Sequence, residues 1–264
     1  MDSVNKTLYI PLYGKAYVTS RGLFLSDKKA EEIWGTEGFA LKGKSKSKWL
    51  AFYMGIRAAV FDEWVTEKLI AFSGSTVIHI GCGMDSRVLR VGADHRWYDV
   101  DFPEVIKERK KYYTETESYT MLEGDARAND WLALIPDGNS AVVIMEGISM
   151  YLKTDELTAL LENIGRKYQN VTILMDCYTV MAAKMSKYKN PINDVGVTTV
   201  HGIDDPELIN GGGISFVKEH VMTPRKYIDE LSGIEKAIFK RLYAGGLSKK
   251  LYRLFEFEKA TERK

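Results

Sequence analysis

Apolar and polar positions alternate between short apolar runs and longer helical patterns, as in a chain that folds into alternating strands and helices. The strongest helical pattern runs from Trp49 to Phe72. Leu50, Met54, Ala58, Phe61, Val65 and Leu69 recur there at helical spacing and predict an amphipathic helix. Thr76–Ile80 is a β-branched apolar run, the mark of a buried parallel strand. Further strands are expected over Arg96–Pro103, Tyr119–Glu123, Ala141–Met145, Val171–Met175, Ile214–Met222 and Lys250–Phe257. Helices are expected between them, over Phe102–Tyr113, Trp131–Leu134, Asp155–Tyr168 and, with interruptions, Pro224–Tyr243. Near the start, Asp27 is placed to cap a helix over Lys28–Trp34. Pro11 and Gly14 are expected to break regular structure between Thr7 and Tyr17. The pattern is that of one α/β domain over 1–264. Residues 1–72 form a helical N-terminal part and 73–178 a nucleotide-binding core. Residues 179–213, poorly periodic, form a substrate cap, and 214–264 supply the last strands and helix.

The first strand leads directly into chemistry. Thr76–Ile80 breaks into Gly81-Cys82-Gly83, and Asp85 with Ser86 are good starters for the following helix. A strand, a glycine turn and a helix start make a nucleotide cradle, because glycine allows a tight turn and lets a ligand approach bare backbone. The third glycine of the dinucleotide fingerprint is missing, and an ordinary strand-to-helix turn would look similar. The next strand ends at Asp101, 20 positions after Gly81, where a doubly wound fold places the carboxylate that holds ribose hydroxyls. The third ends at Gly124-Asp125-Ala126 and the fourth at Glu146-Gly147. Ligands bind beyond the carboxyl ends of such strands, so acid and glycine at four successive strand ends point to one site.

Composition narrows the possibilities. The 37 basic and 36 acidic residues leave a net charge of +1, which argues against a general nucleic-acid or membrane-surface binder. Cys82 and Cys177 form no CxxC pair, so a reducing compartment and a soluble cytoplasmic protein are expected. No signal peptide or membrane-spanning run is evident, and the four histidines have no zinc-ligand spacing, so no metal is expected. Lys42–Lys48 is basic and rich in Gly and Ser; it reads as a solvated loop or as a lid over an anionic ligand. Arg57 lies inside a mostly apolar helix and needs an anionic partner there. Asp62, Glu63 and a ligand carboxylate are the candidates.

The motifs resemble those of a known family. Gly81-Cys82-Gly83-Met84-Asp85-Ser86-Arg87, Tyr98-Asp99-Val100-Asp101-Phe102-Pro103-Glu104-Val105 and Glu146-Gly147-Ile148-Ser149-Met150-Tyr151-Leu152 resemble, in order, three blocks of the leucine carboxyl methyltransferase family. The opening Thr7–Ala16 and Gly202–Pro206 resemble its bacterial branch of tetracenomycin-type polyketide O-methyltransferases. Ser86 stands where the family usually has threonine and keeps the hydroxyl. The resemblance implies a class I methyltransferase fold with a seven-stranded, mostly parallel sheet, and S-adenosylmethionine as cofactor. It implies that Gly81 and Gly83 pass under the cofactor and that Asp101 takes the ribose hydroxyls. Asp125 and Ala126 would flank the adenine, Glu146 would face the methionyl part, and Arg57 with Lys15 would hold its carboxylate. Arg87 would brace the motif.

An in-line methyl transfer requires alignment of the acceptor and exclusion of water. A carboxylate acceptor is ionised at neutral pH and needs no base, whereas a phenol, with a pKa of about 10, benefits from one. His201, Tyr178 and Tyr151 are the candidates near the expected pocket, although each also suits a packing or loop role. The expected activity is O-methylation of a carboxylate or phenolic hydroxyl on a small molecule. The alternatives are a methyltransferase of a protein C-terminal carboxylate, a nicotinamide-dependent oxidoreductase and a non-catalytic cofactor sensor. Oligomeric state is not encoded in any motif.

Overall fold

The structure is a computed structural model that describes residues 8–36, 46–92, 95–189 and 199–259. Its centre is a seven-stranded sheet in the order β3-β2-β1-β4-β5-β7-β6. The strands are β1 (Thr76–Ile80), β2 (Trp97–Asp101), β3 (Tyr119–Glu123), β4 (Ser140–Met145), β5 (Asn170–Tyr178), β6 (Ser215–His220) and β7 (Tyr252–Lys259). The first five are parallel, and β7 runs antiparallel to both β5 and β6. The strand order reverses between β1 and β4, which creates the switch point where open α/β sheets bind ligands. The register is Asp101 beside Glu123 and Met145 beside Met175, so the carboxyl ends of the parallel strands share one edge of the sheet.

Alternation along the strands sends residues to two buried layers. Val77, Val142, Ile144 and Leu174 face α1 (Tyr9–Ser20), α3 (Lys48–Ala71) and α5 (Pro103–Arg109). Ile78, Ile80, Val143 and Met145 face α6 (Asp130–Ala133) and α7 (Thr154–Lys167). The remaining helices are α2 (Lys28–Thr36), α4 (Arg87–Val91), α8 (Val180–Lys189), α9 (Arg225–Glu230), α10 (Gly233–Tyr243) and α11 (Gly246–Lys249). Among the described residues, no helix is long and apolar enough to cross a membrane.

The structure departs from the sequence pattern in three places. Pro11 and Gly14 do not break α1. Pro11 lies in the first turn, where its missing N–H has no intrahelical partner. Gly14 is where α1 meets α3, and a Cβ there would lie 2.6 Å from Met54 Cβ. The helix α3 is not amphipathic over its first half, because every residue from Ala51 to Phe61 is buried, with α1, the sheet and the segment Gly233–Tyr243 packed around it. Ser86 does not cap α4; its hydroxyl bonds Asp27 Oδ1 at 2.5 Å, and Asp85 Oδ1 takes the Arg87 N–H at 2.8 Å. Asp27 does cap α2, accepting from Ala30 N at 2.8 Å. Residues 42–45 of the basic stretch, and 190–198 of the expected cap, lie outside the described residues.

Candidate active site

The turn after β1 can be built only because of its glycines. Gly81 and Gly83 have φ of +69° and +51°, and a Cβ on Gly81 would stand 2.7 Å from Ile148 Cδ1. The turn is held from two sides. Asp101 Oδ2 accepts the Gly83 N–H at 2.7 Å, and Arg109 Nη1 donates to the Gly83 carbonyl at 3.0 Å. Arg109 is fully buried, with Nη2 on Asp99 and Nε on the Tyr119 hydroxyl at 3.1 Å. Its guanidinium also lies over the Tyr113 ring at 4.0 Å, and the Tyr113 hydroxyl donates to the Met84 carbonyl at 3.0 Å.

Beside this turn lies a cavity of about 320 Å³, at the low end of the usual range for small-ligand sites. It is lined by Gly81, Gly83, Asp101, Asp125, Ala126 and Gly147 among others, together with Ile148, Tyr151 and Leu152. Burial pushes the Asp101 carboxyl up to about 6, against the pull of the N–H groups of Gly83 and Phe102. Asp125 is forked by its neighbour Arg127, whose hydrogen bonds lower its pKa.

Behind the cavity wall lies a buried ionic network. Arg57 Nε meets Glu146 Oε1 at 2.9 Å, and its Nη1 meets Asp176 Oδ2 at 3.0 Å and the Tyr252 hydroxyl at 2.8 Å. Arg87 joins Glu146 at 2.5 Å to Asp62 at 2.6 Å, and Arg90 joins Asp62, Asp27 and Asp85. Lys15 meets Asp85 at 2.8 Å. Burial alone would raise the Glu146 carboxyl, but the Arg57 and Arg87 guanidiniums hold it down at about 2. Asp85 is likewise pulled well below its usual range, by Arg87, Lys15 and Arg90 acting against its burial. At Asp176 burial outweighs the attraction of Arg57, and the carboxyl is raised.

The sequence candidates therefore separate into groups. Gly81, Gly83, Asp101, Asp125, Ala126 and Tyr151 line the cavity. Lys15, Arg57 and Glu146 lie in the ionic network, and Gly147 stands between Arg57 and the cavity. A Cβ on Gly147 would lie 3.4 Å from both Nη1 and Nη2 of Arg57. The partner of Arg57 is neither Asp62 nor Glu63. Asp62 is taken by Arg87 and Arg90 from α4, and Arg57 reaches the sheet instead. Tyr178, His201 and Tyr151 lie on segments that the backbone draws together. His201 N donates to Met150 O, and Ile203 N donates to Tyr178 O, each at 2.7 Å.

The sequence pattern alone does not single out Arg109, Asp176 or Tyr252. A signal existed for Arg109: Asp99 sits in the middle of an apolar strand, and a buried acid there requires a cation nearby. Among the described residues no cluster of His, Cys, Asp and Glu has the makings of a metal site, and Cys82 and Cys177 are buried and unbridged.

Comparison with known proteins gives this geometry a family. The family model for leucine carboxyl methyltransferase matches residues 13–165. The chain is 28% identical over 184 residues to the tetracenomycin polyketide synthesis O-methyltransferase TcmP of Streptomyces glaucescens, covering 68% of each chain. It is 29% identical over 230 residues to the S-adenosyl-L-methionine-dependent methyltransferase dpfgK of Gibberella zeae, covering 78% of this chain and 77% of that one. In fold it is similar to the magnesium protoporphyrin IX methyltransferase of Synechocystis PCC 6803 with bound SAH. The TM-score is 0.51 at 13% identity, over 97% of this chain and 100% of that one. The family match runs from within α1 through the glycine turn into α7, more than half of the chain, and the chain belongs to the leucine carboxyl methyltransferase family, as an S-adenosylmethionine-dependent O-methyltransferase.

Proposed function

We propose that the protein methylates a carboxylate or phenolic oxygen of a small organic molecule. The observation that carries this reading is the cavity at the switch point. Its lining combines bare backbone at Gly81, Gly83, Gly124 and Gly147 with the Asp101 carboxylate and the Tyr151 side chain. The residues suit S-adenosylmethionine. The positive φ values of Gly81 and Gly83 leave no side chain under a nucleoside, and Asp101 offers a carboxylate to ribose hydroxyls. Asp125 and Ala126 flank the expected adenine position. Arg57 Nη2 has no hydrogen-bond partner among the described residues and lies behind side-chain-free Gly147, which suits it to an anionic carboxylate. Glu146 and Lys15 complete the charge balance around it.

When bound, this cofactor supplies an electrophilic methyl group on a sulfonium. The protein's part is to orient the acceptor and exclude water. Ile148, Tyr151 and Leu152 line the cavity, and the same segment is tied at Met150 to 201–203, which also bonds Tyr178. A carboxylate acceptor would need only orientation there. For a phenol acceptor the His201 imidazole offers a nitrogen to take the proton, and the Tyr178 and Tyr151 hydroxyls offer hydrogen bonds to the acceptor oxygen. The similarity to TcmP, a polyketide synthesis O-methyltransferase, supports an oxygen acceptor on a small molecule.

The test is incubation of the protein with methyl-labelled S-adenosylmethionine and fractionated small-molecule extracts, alongside a protein extract. Label in an ester or aryl ether of a small molecule supports the reading. Label only on protein C-termini would replace it with the protein-carboxylate alternative.

A further inference from the structure

We propose that Asp176 and Tyr252 are positioning residues for cofactor binding: together they set the rotation of the Arg57 guanidinium so that Nη2 is presented to the cavity across Gly147. The proposal rests on the reading of Arg57 as the holder of the cofactor carboxylate. A guanidinium is a rigid plane with donors on three nitrogens. In Arg57, Nε is fixed by Glu146, and Nη1 by both Asp176 and Tyr252. Fixing those two nitrogens fixes the plane, and Nη2 is the edge left over. Asp176 also reaches the glycine in front, since its Oδ1 accepts the Gly147 N–H at 2.6 Å. One fully buried carboxylate thus holds both the guanidinium and the residue that separates it from the cavity.

The Tyr252 hydroxyl completes the arrangement by donating to Asp176 Oδ2 at 2.5 Å while accepting from Arg57 Nη1. It comes from β7, which pairs with β5 so that Tyr252 lies beside Tyr178. The ring is held edge-on by Tyr178 at 5.1 Å and tilted against Tyr53 at 6.0 Å, so the hydroxyl is delivered in a fixed place. Burial, followed by the charge of Asp176, holds its pKa well above the usual tyrosine value. It therefore serves as a neutral donor and acceptor and adds no charge to the network.

Tyr252→Phe removes the hydroxyl and keeps the ring. Calorimetry on the full chain should compare S-adenosylmethionine with its decarboxylated form, which keeps the sulfonium and nucleoside but lacks the carboxylate. The expected result is about tenfold weaker binding of the first and a change under about twofold for the second. Asp176→Asn should show the same selectivity with a larger loss, and it carries the comparison if Tyr252→Phe does not fold. Equal losses for both ligands, or no loss for either, overturn the proposal. Arg57→Ala, measured in parallel, separates the two levels. If it weakens both ligands equally, the carboxylate reading of Arg57 fails. If it discriminates between them and Tyr252→Phe does not, only the positioning role fails.

Discussion

Asp101 Oδ2 accepts the backbone N–H of Gly83 at 2.7 Å, so the acid ending β2 is also a strut of the turn ending β1. Its other oxygen accepts from Phe102 N at 2.8 Å, and burial still raises its pKa to about 6. A carboxyl raised above its unfolded value of about 4 stabilises the fold fully below that value, and this contribution is lost as pH rises through about 6. Asp101→Asn removes the titration. In the cofactor-free protein, stability of the variant relative to wild type should climb by roughly 1–3 kcal/mol between pH 4 and 6 and level off above. Thermal melts across pH 4–8 check this, and a flat or falling difference would refute it. Binding of S-adenosylmethionine by the wild type should strengthen over the same window, because only the ionised acid accepts two hydroxyl protons.

Arg109 grips the Gly83 carbonyl from a position with no access to solvent. Arg109→Met should cost about 3–5 kcal/mol, since it strands the buried charge of Asp99. Adding Asp99→Asn should restore much of that stability without restoring cofactor affinity, because the glycine turn still lacks its brace. Urea unfolding and calorimetry on the single and double variants test both halves. Recovery of affinity along with stability would show that Arg109 matters to packing alone.

Gly147→Ala combines two effects. The φ of +74° costs a non-glycine residue about 1–2 kcal/mol, and the new methyl group would cover the Arg57 guanidinium at 3.4 Å. The variant should fold, with a slightly lower melting temperature, and bind S-adenosylmethionine at least about tenfold more weakly. Undiminished affinity would mean that the guanidinium is reached by another route.

Lys15→Met leaves Asp85 with Arg87 at 3.5 Å and Arg90 at 3.1 Å. The loss of stability should therefore fall below that of a fully stranded buried charge, at about 1–3 kcal/mol. A loss above about 4 kcal/mol in chemical denaturation would contradict that sharing of partners.

The central strands are legible in the sequence because each is an apolar run closed by glycine or acid. β1 and β3 begin and end where the pattern places them. The cavity-lining residues are legible for the same reason, since in a parallel sheet the residue after a strand is the one that meets a ligand. The helix α1 is hidden by Pro11 and Gly14, whose local preferences are overridden by a first-turn position and by close contact with α3. Arg57 is recognisable as needing an anion, but its partners lie 89 and 119 residues away, beyond the reach of helical spacing. Tyr252 is legible only as one position in an alternating strand. Its hydroxyl finds a role once β7 is laid beside β5.

That placement of β7 also bears on how the chain assembles during synthesis. β7 lies between β5 and β6 but is made after both, and among the described residues β6 is paired with no other strand. Until β7 is in place, β5 has an open edge, and β6, exposed along most of its length, has no ladder to join. An unpaired strand edge is a template for pairing with other chains. The nascent protein therefore passes through a stage when its sheet is adhesive and its Arg57 network unfinished.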